Sequence, residues 1–172
     1  MSCAPQTLKN AGFRSPEGGN LMNLSVTVDI QATTDLVWRV LCDVERWPDW
    51  TRSVTSIQRL SAGPLIVGSR LRVRQPKLLP ATWRVTELKE NCSFTWVAAT
   101  PGARVIAGHR VGPHRGGSRV TLSIVFGGIF GPLLSRLTRS LTERYIQMEA
   151  NGLKARSEEL QQKAATLRSV SA

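Results

Sequence analysis

The chain has 172 residues, 41% of them hydrophobic, which is enough to bury one core and short for two domains. Its 23 Lys and Arg against 12 Asp and Glu give a formal charge of +11, a bias toward anionic partners that says nothing about fold. Cys3, Cys42 and Cys92 have no paired spacing, so they suggest neither a disulfide framework nor a zinc site and point to a reducing, cytoplasmic setting; the lack of any run of about 18 apolar residues excludes a spanning helix.

Residues 1–23 are rich in Gly, Ser, Asn and Pro and lack the apolar stretch of a secretory signal, so they read as a disordered leader. From Leu24 the chain alternates: Leu24, Val26, Val28 and Ile30 fall on one face, Ser25, Thr27, Asp29 and Gln31 on the other, the period of a half-buried strand. Thr33 or Thr34 can cap a following helix with Asp35 in its first turn and Val37, Val40, Leu41 and Val44 on one side. Trp47-Pro48-Asp49-Trp50 ends that helix, because proline disfavours helical geometry in the residue before it.

Between residues 53 and 128, short segments divided by Gly, Pro or Asn predict an antiparallel meander with strands near 53–60, 68–75, 82–89, 93–99, 104–112 and 118–127. The alternation places Val120, Leu122, Ile124 and Phe126 on the buried face, together with Val105, Ala107, His109 and Val111 of the preceding strand. It also turns Leu71, Val73, Gln75, Trp83, Val85 and Glu87 inward and Arg70, Arg72, Arg74 and Arg84 outward. An outer polar face is what a one-sided antiparallel sheet requires, and no aromatic residues interleave with these arginines, which argues against nucleic acid as a partner.

Gly131 and Pro132 open a last helix, whose Leu134, Leu137, Leu141, Tyr145, Met148, Gly152 and Ala155 form one stripe toward Leu160. Continued to Leu167 it leaves a short disordered tail, 168–172, and a single domain over 24–167. This helix must cover the buried strand faces, because nothing else in the chain is long enough to do so.

Trp47-Pro-Asp-Trp50, Phe94-Thr-Trp96, Pro101-Gly102, His109, Gly117-Ser-Arg-Val-Thr-Leu122, Gly131-Pro-Leu133 and Tyr145-Ile-Gln-Met-Glu-Ala-Asn-Gly-Leu153, in this order, resemble the polyketide cyclase/dehydrase branch of the START-like superfamily. The resemblance runs from about Leu24 to Leu160. It implies an α+β helix-grip fold: a curved antiparallel sheet of six or seven strands wrapped around a long C-terminal helix, with one or two short helices after strand one. It also implies a cavity between sheet and helix for a hydrophobic or amphipathic small molecule such as a lipid, quinone or polyketide. It does not imply a reaction, because one shape serves carriers, receptors and cyclases.

The stripe and the alternation nominate the ligand-facing residues. Tyr145 and Glu149, four apart on the helix with Met148 beside them, meet His109 from the sheet. These groups can bind a carbonyl or hydroxyl, or act as acid and base in a cyclisation or dehydration, with His109 as base or acid and Tyr145 as oxyanion donor. Simple contact, or a histidine satisfied by its neighbours, ranks ahead of catalysis, so no catalytic residue is assigned. Leu141 and Gly152 share the stripe, Phe126 shares the sheet's inner face, and Trp50, Trp83 and Trp96 are placed at the cavity or its mouth, whereas Trp38 and Trp47 read as core. Gly152 accepts the roughly 1 kcal/mol that glycine costs in a helix either for close packing, the preferred reading, or to admit a ligand. His109 and His114, five apart on a strand, cannot form a metal pair, and no motif calls for a metal or cofactor. The apolar run from Ile124 to Leu134 forms either a lip of the cavity or a patch that touches a membrane surface transiently.

Overall fold

The structure, a computed structural model, describes residues 23–170. The expected leader lies outside the described residues except for Asn23, which opens the first strand. The order is β1 (Asn23–Ile30), α1 (Thr34–Cys42), a 3-10 turn (Val44–Asp49), β2 (Ser56–Arg59), β3 (Arg70–Arg74), β4 (Ala81–Lys89), β5 (Ser93–Thr100), β6 (Ala103–His114), β7 (Gly117–Gly127) and α2 (Gly131–Val170). The strands form one antiparallel sheet in the order β1-β7-β6-β5-β4-β3-β2, so β1 leaves the meander's origin to pair with its last strand. This curved sheet around a long C-terminal helix is the helix-grip architecture.

Local sequence explains most boundaries. Thr33 is the residue before α1, in extended geometry, and Asp35 occupies the first turn where a carboxylate favours the helix dipole. The helix stops at Cys42, earlier than its apolar spacing predicts, and Val44 belongs to the 3-10 turn. That turn accommodates Pro48 and is held by Trp47, whose Nε1–H donates to the Leu41 carbonyl at 3.0 Å. β6 and β7 are joined by Arg115 and Gly116, both at positive φ (41° and 79°), the geometry of a two-residue turn that matches strand twist.

One strand departs from simple alternation. The pairing of β4 with β5 shifts between Val85 and Glu87, a bulge that inserts one residue and reverses the faces beyond it. Glu87, expected inward, is therefore exposed, and Leu88 packs against the core instead. The outer arginines stand as expected: Arg70, Arg72, Arg74 and Arg84 are exposed, with Arg70 directly opposite Arg84.

α2 continues through Val170, three residues into the expected tail, and its 40 residues span about 60 Å at 1.5 Å per residue. The side it turns to the protein is rotated from the predicted stripe. Ser135, Tyr145, Ile146, Ala150, Leu153 and Ser157 are buried, while Leu137 is 75% exposed and Ala155 is exposed. The apolar periodicity had merged two surfaces of the helix into one. The half of α2 beyond Gly152 is fastened to the end of β1: Lys154 Nζ donates to the Asp29 carbonyl at 2.7 Å, and the Gln31 N–H donates to Glu158 at 2.8 Å.

Candidate functional site

A cavity of about 690 Å³ lies between the inner face of the sheet and the first half of α2. Strands β4 to β7 supply Trp83, Trp96, Ala107, Leu122 and Phe126, and α2 supplies Leu134, Thr138, Thr142, Tyr145 and Ile146. The opening is bordered by the β3–β4 loop, where Leu78, Leu79 and Pro80 line it, and by the β5–β6 turn near Thr100 and Ala103. A second depression, at Glu45 and Arg59 to Pro64, is shallow and open to solvent.

The polar centre of the wall is one pair. His109 is inward on β6 between buried Ala107 and Val111, and its Nε2 lies 3.1 Å from Glu149 Oε1 on α2. The two side chains are only 3% and 14% exposed, so each needs the other to offset the loss of water. Aromatic rings fix the imidazole. It stacks on Phe94, its cross-strand neighbour, with centroids 4.3 Å apart at 16°, and meets the edges of Trp47 and Trp96 at 5.4 and 5.5 Å. In the neutral tautomer that donates from Nε2 to Glu149, Nδ1 carries a lone pair. Nδ1 is buried with no hydrogen-bond partner among the described residues.

Tyr145 lines the cavity, but its hydroxyl donates to the Pro76 carbonyl and stitches α2 to the β3–β4 loop. The expected oxyanion donor is thus a fastener of the cavity's rim. Trp83 and Trp96 face each other at 5.3 Å in the wall, and Phe126 joins them nearer the opening. His109, Tyr145, Glu149, Trp83, Trp96 and Phe126 are therefore brought together as expected.

Four expected residues are not among the lining. Met148 and Leu141 are half-buried on the helix flank, a consequence of the rotated face. Trp50 leans on Trp47 at 5.4 Å behind the wall. Gly152 lies against it: a methyl added there would overlap the Trp50 carbonyl oxygen and sit 3.0 Å from its carbon. Close packing therefore accounts for the helical glycine, and the backbone it admits belongs to the segment after the 3-10 turn.

The residues that sequence reasoning missed are Trp47, which serves both core and cavity, Thr138 and Thr142 on α2, and the Leu78-Leu79-Pro80 tip. Leu134, Thr138, Thr142, Tyr145 and Glu149 recur at four, four, three and four residues, so the lining face was present in the spacing, though a search for apolar periodicity passes over threonines. The Thr138 hydroxyl donates to the Leu134 carbonyl at 2.8 Å and is spent within the helix. Cys42 is a free thiol that burial pushes up to about 12, far from a nucleophile's range. Among the described residues no three His, Cys, Asp or Glu side chains are grouped to hold a metal ion.

Residues 22–158 match the family model described as polyketide cyclase / dehydrase and lipid transport. Among curated proteins none is significantly similar in sequence. Solved structures share the fold at low identity. A hypothetical protein of Helicobacter pylori aligns with a TM-score of 0.68 at 17% identity, covering 90% of this chain and 96% of its own. The Zhui aromatase/cyclase of Streptomyces sp. R1128 gives 0.66 at 17%, covering 80% and 94%. A START superfamily protein of Mycobacterium smegmatis gives 0.63 at 16%, covering 80% and 98%.

Proposed function

From a chain that belongs to the polyketide cyclase/dehydrase and lipid transport family, we propose that this protein takes up one hydrophobic or amphipathic small molecule and anchors its polar end at His109 and Glu149. The observation that carries this reading is the cavity of about 690 Å³, walled by tryptophans and aliphatic residues around a single imidazole–carboxyl pair. Ligand sites of about 300–1,000 Å³ with apolar walls and few polar anchors are the usual design of small-molecule pockets. A lipid, quinone or polyketide-like molecule with a hydroxyl or carbonyl at one end fits that chemistry. Its hydroxyl would donate to the Glu149 carboxylate, the more exposed member of the pair.

The test is native mass spectrometry of freshly purified protein with extraction of bound compounds, together with titration of an apolar fluorescent probe. A retained compound, or saturable probe binding that quenches tryptophan emission through Trp83 and Trp96, is expected. Empty protein that binds no probe would overturn the reading.

The same imidazole–carboxyl pair favours a second reading, an acid–base enzyme for cyclisation, dehydration or isomerisation of such a molecule. The pair would take a proton from an activated carbon or hydroxyl, one partner accepting it while the other stabilises the charge that results. Turnover lost in His109→Gln and reduced in Glu149→Gln supports catalysis; recovery of every bound compound unchanged leaves carriage.

A further inference from the structure

The rim of the cavity carries large apolar side chains that contact little protein. Leu79, at the tip of the β3–β4 loop, is 90% exposed, and Ile129 and Phe130, between β7 and α2, are 82% and 54% exposed. Leu133 and Leu137, one turn apart on the outer side of α2, are 57% and 75% exposed. All belong to one end of the molecule. The β3–β4 loop, the β5–β6 turn and the β7–α2 corner stand at the same end of the sheet, where Leu79 itself borders the opening. Phe130 lies over Gly102 of the β5–β6 turn, where an added methyl would come within 2.5 Å of its ring, and the Phe130 N–H donates to the Gly102 carbonyl at 2.9 Å. These contacts hold the β7–α2 corner against the β5–β6 turn.

Cations stand beside these tips. Lys77, Arg136 and Arg144 are exposed at the mouth end. Glu143, the outer carboxylate of this helix half, is bound to Arg139 at 2.9 Å, and Glu149 is turned inward to His109. Asp29 and Glu158, by contrast, belong to the opposite end and are paired there with Arg119 and Lys154.

We propose that the rim formed by Leu79, Ile129, Phe130, Leu133 and Leu137 docks on an anionic lipid bilayer, so that the cavity exchanges its ligand with the membrane directly. Protruding apolar side chains next to cationic ones suit the boundary between headgroups and acyl chains, where apolar tips sink in and basic residues meet phosphates. A second copy of the chain is the poorer occupant, because apposing two rims would bring Lys77, Arg136 and Arg144 against their own images without a carboxylate to neutralise them. Among the described residues no helix is long and apolar enough to cross a membrane, so the contact is interfacial. The purpose of docking rests on the ligand reading, whereas its test does not: vesicle binding is measured without ligand, and failure of one leaves the other intact.

Co-sedimentation with large unilamellar vesicles supplies the test, comparing phosphatidylcholine alone with phosphatidylcholine containing 30 mol% phosphatidylglycerol. Binding to the anionic vesicles is expected to exceed binding to the neutral ones at least tenfold and to weaken steeply with salt. Leu79→Ser/Ile129→Ser, at the two most exposed tips and therefore without cost to folding, lowers binding at least tenfold. Lys77→Gln/Arg136→Gln/Arg144→Gln lowers it further, at about fivefold per cation removed. Two results would overturn the proposal: no preference for anionic vesicles at low salt, or tip variants that bind as the wild type does. A dimer in light scattering that the tip variants dissociate, with no vesicle binding, would assign the rim to a second copy instead.

Discussion

The two ends of the sheet–helix interface use the same sheet and the same helix, yet one is filled and the other hollow. At the end where β1 leaves the sheet, α1 and the 3-10 turn wedge between the sheet and the second half of α2, and Val37, Leu41, Val44, Val111, Val120 and Leu153 have no exposed surface. At the other end no element among the described residues intervenes, and Leu134, Thr138 and Thr142 face the strands across open space. A cavity arises here by leaving out a layer. Protein interiors otherwise close to crystal-like density. Collapse is resisted because α2 is fastened at two levels, by Tyr145 to Pro76 and by Lys154 and Glu158 to the end of β1, while the tryptophans brace one another across the wall.

The sharpest way to break that comparison is one substitution at each end. Leu153→Ala removes a fully buried side chain from the filled end and is expected to cost about 2–5 kcal/mol in urea unfolding, the range for truncating a core leucine that cannot be refilled. Thr142→Leu adds volume at the hollow end and is expected to change stability by less than about 1 kcal/mol while abolishing probe uptake. Equal destabilisation by both would mean that the two ends are packed alike.

Gly152→Ala sharpens the boundary between the ends. Propensity alone predicts a gain of about 1 kcal/mol in a helix. The Trp50 carbonyl occupies the place of the new methyl, so a net loss of about 1–3 kcal/mol is expected, measured by thermal unfolding. A stabilised variant would show that Trp50 moves aside freely. Smaller again is His109→Gln. An amide can still donate to Glu149, so folding is expected to change by about 1 kcal/mol or less, while probe or ligand affinity falls about tenfold through loss of the ring that holds Glu149 in place on the wall. Unchanged affinity would remove His109 as the anchor.

Sequence patterning revealed the filled parts better than the hollow ones. The faces of β6 and β7 follow from strict alternation, because a strand with one buried side has no freedom to place Ala107, His109, Leu122 or Phe126 elsewhere. His109 and Glu149 were legible for the same reason, as polar residues at positions that geometry turns inward. The bulge at Glu87 was not, since nothing in Val85-Thr86-Glu87-Leu88 marks an inserted residue except pairing with β5. α2 misled through Leu137: an apolar residue on an exposed rim has the periodicity of a core residue, and Thr138, which does line the cavity, resembles a surface one. Hydrophobic spacing assumes that apolar means buried, which fails where a cavity needs smaller side chains and its rim carries larger ones. Trp47 was read as core only, because a sequence cannot show that one face of an indole ends at a void.

The smallest expected effect separates the ends by acid. Glu158 is raised by burial, but the Gln31 N–H and the Lys154 ammonium outweigh this and hold its carboxyl below its ordinary value of 4.5. On the same junction, the Arg119 guanidinium, at 2.6 and 2.9 Å, holds Asp29 below 3.8. A carboxylate whose folded value is depressed adds stability that is fully present above its unfolded value and disappears as pH falls through the folded one. The clasp between β1 and α2 is therefore intact at neutral pH and weakens below about pH 4.5. Glu158→Gln is expected to be slightly less stable than the wild type at pH 7, and the difference should close as the pH falls through the folded value, because the protonated wild type has lost the same charge. Parallel stability curves from pH 7 to pH 3 would show that Glu158 does not fasten the filled end. Amide exchange should follow the same order, with residues 29–33 losing protection on acidification before β5 does, since the latter is held by ladder hydrogen bonds and aromatic packing.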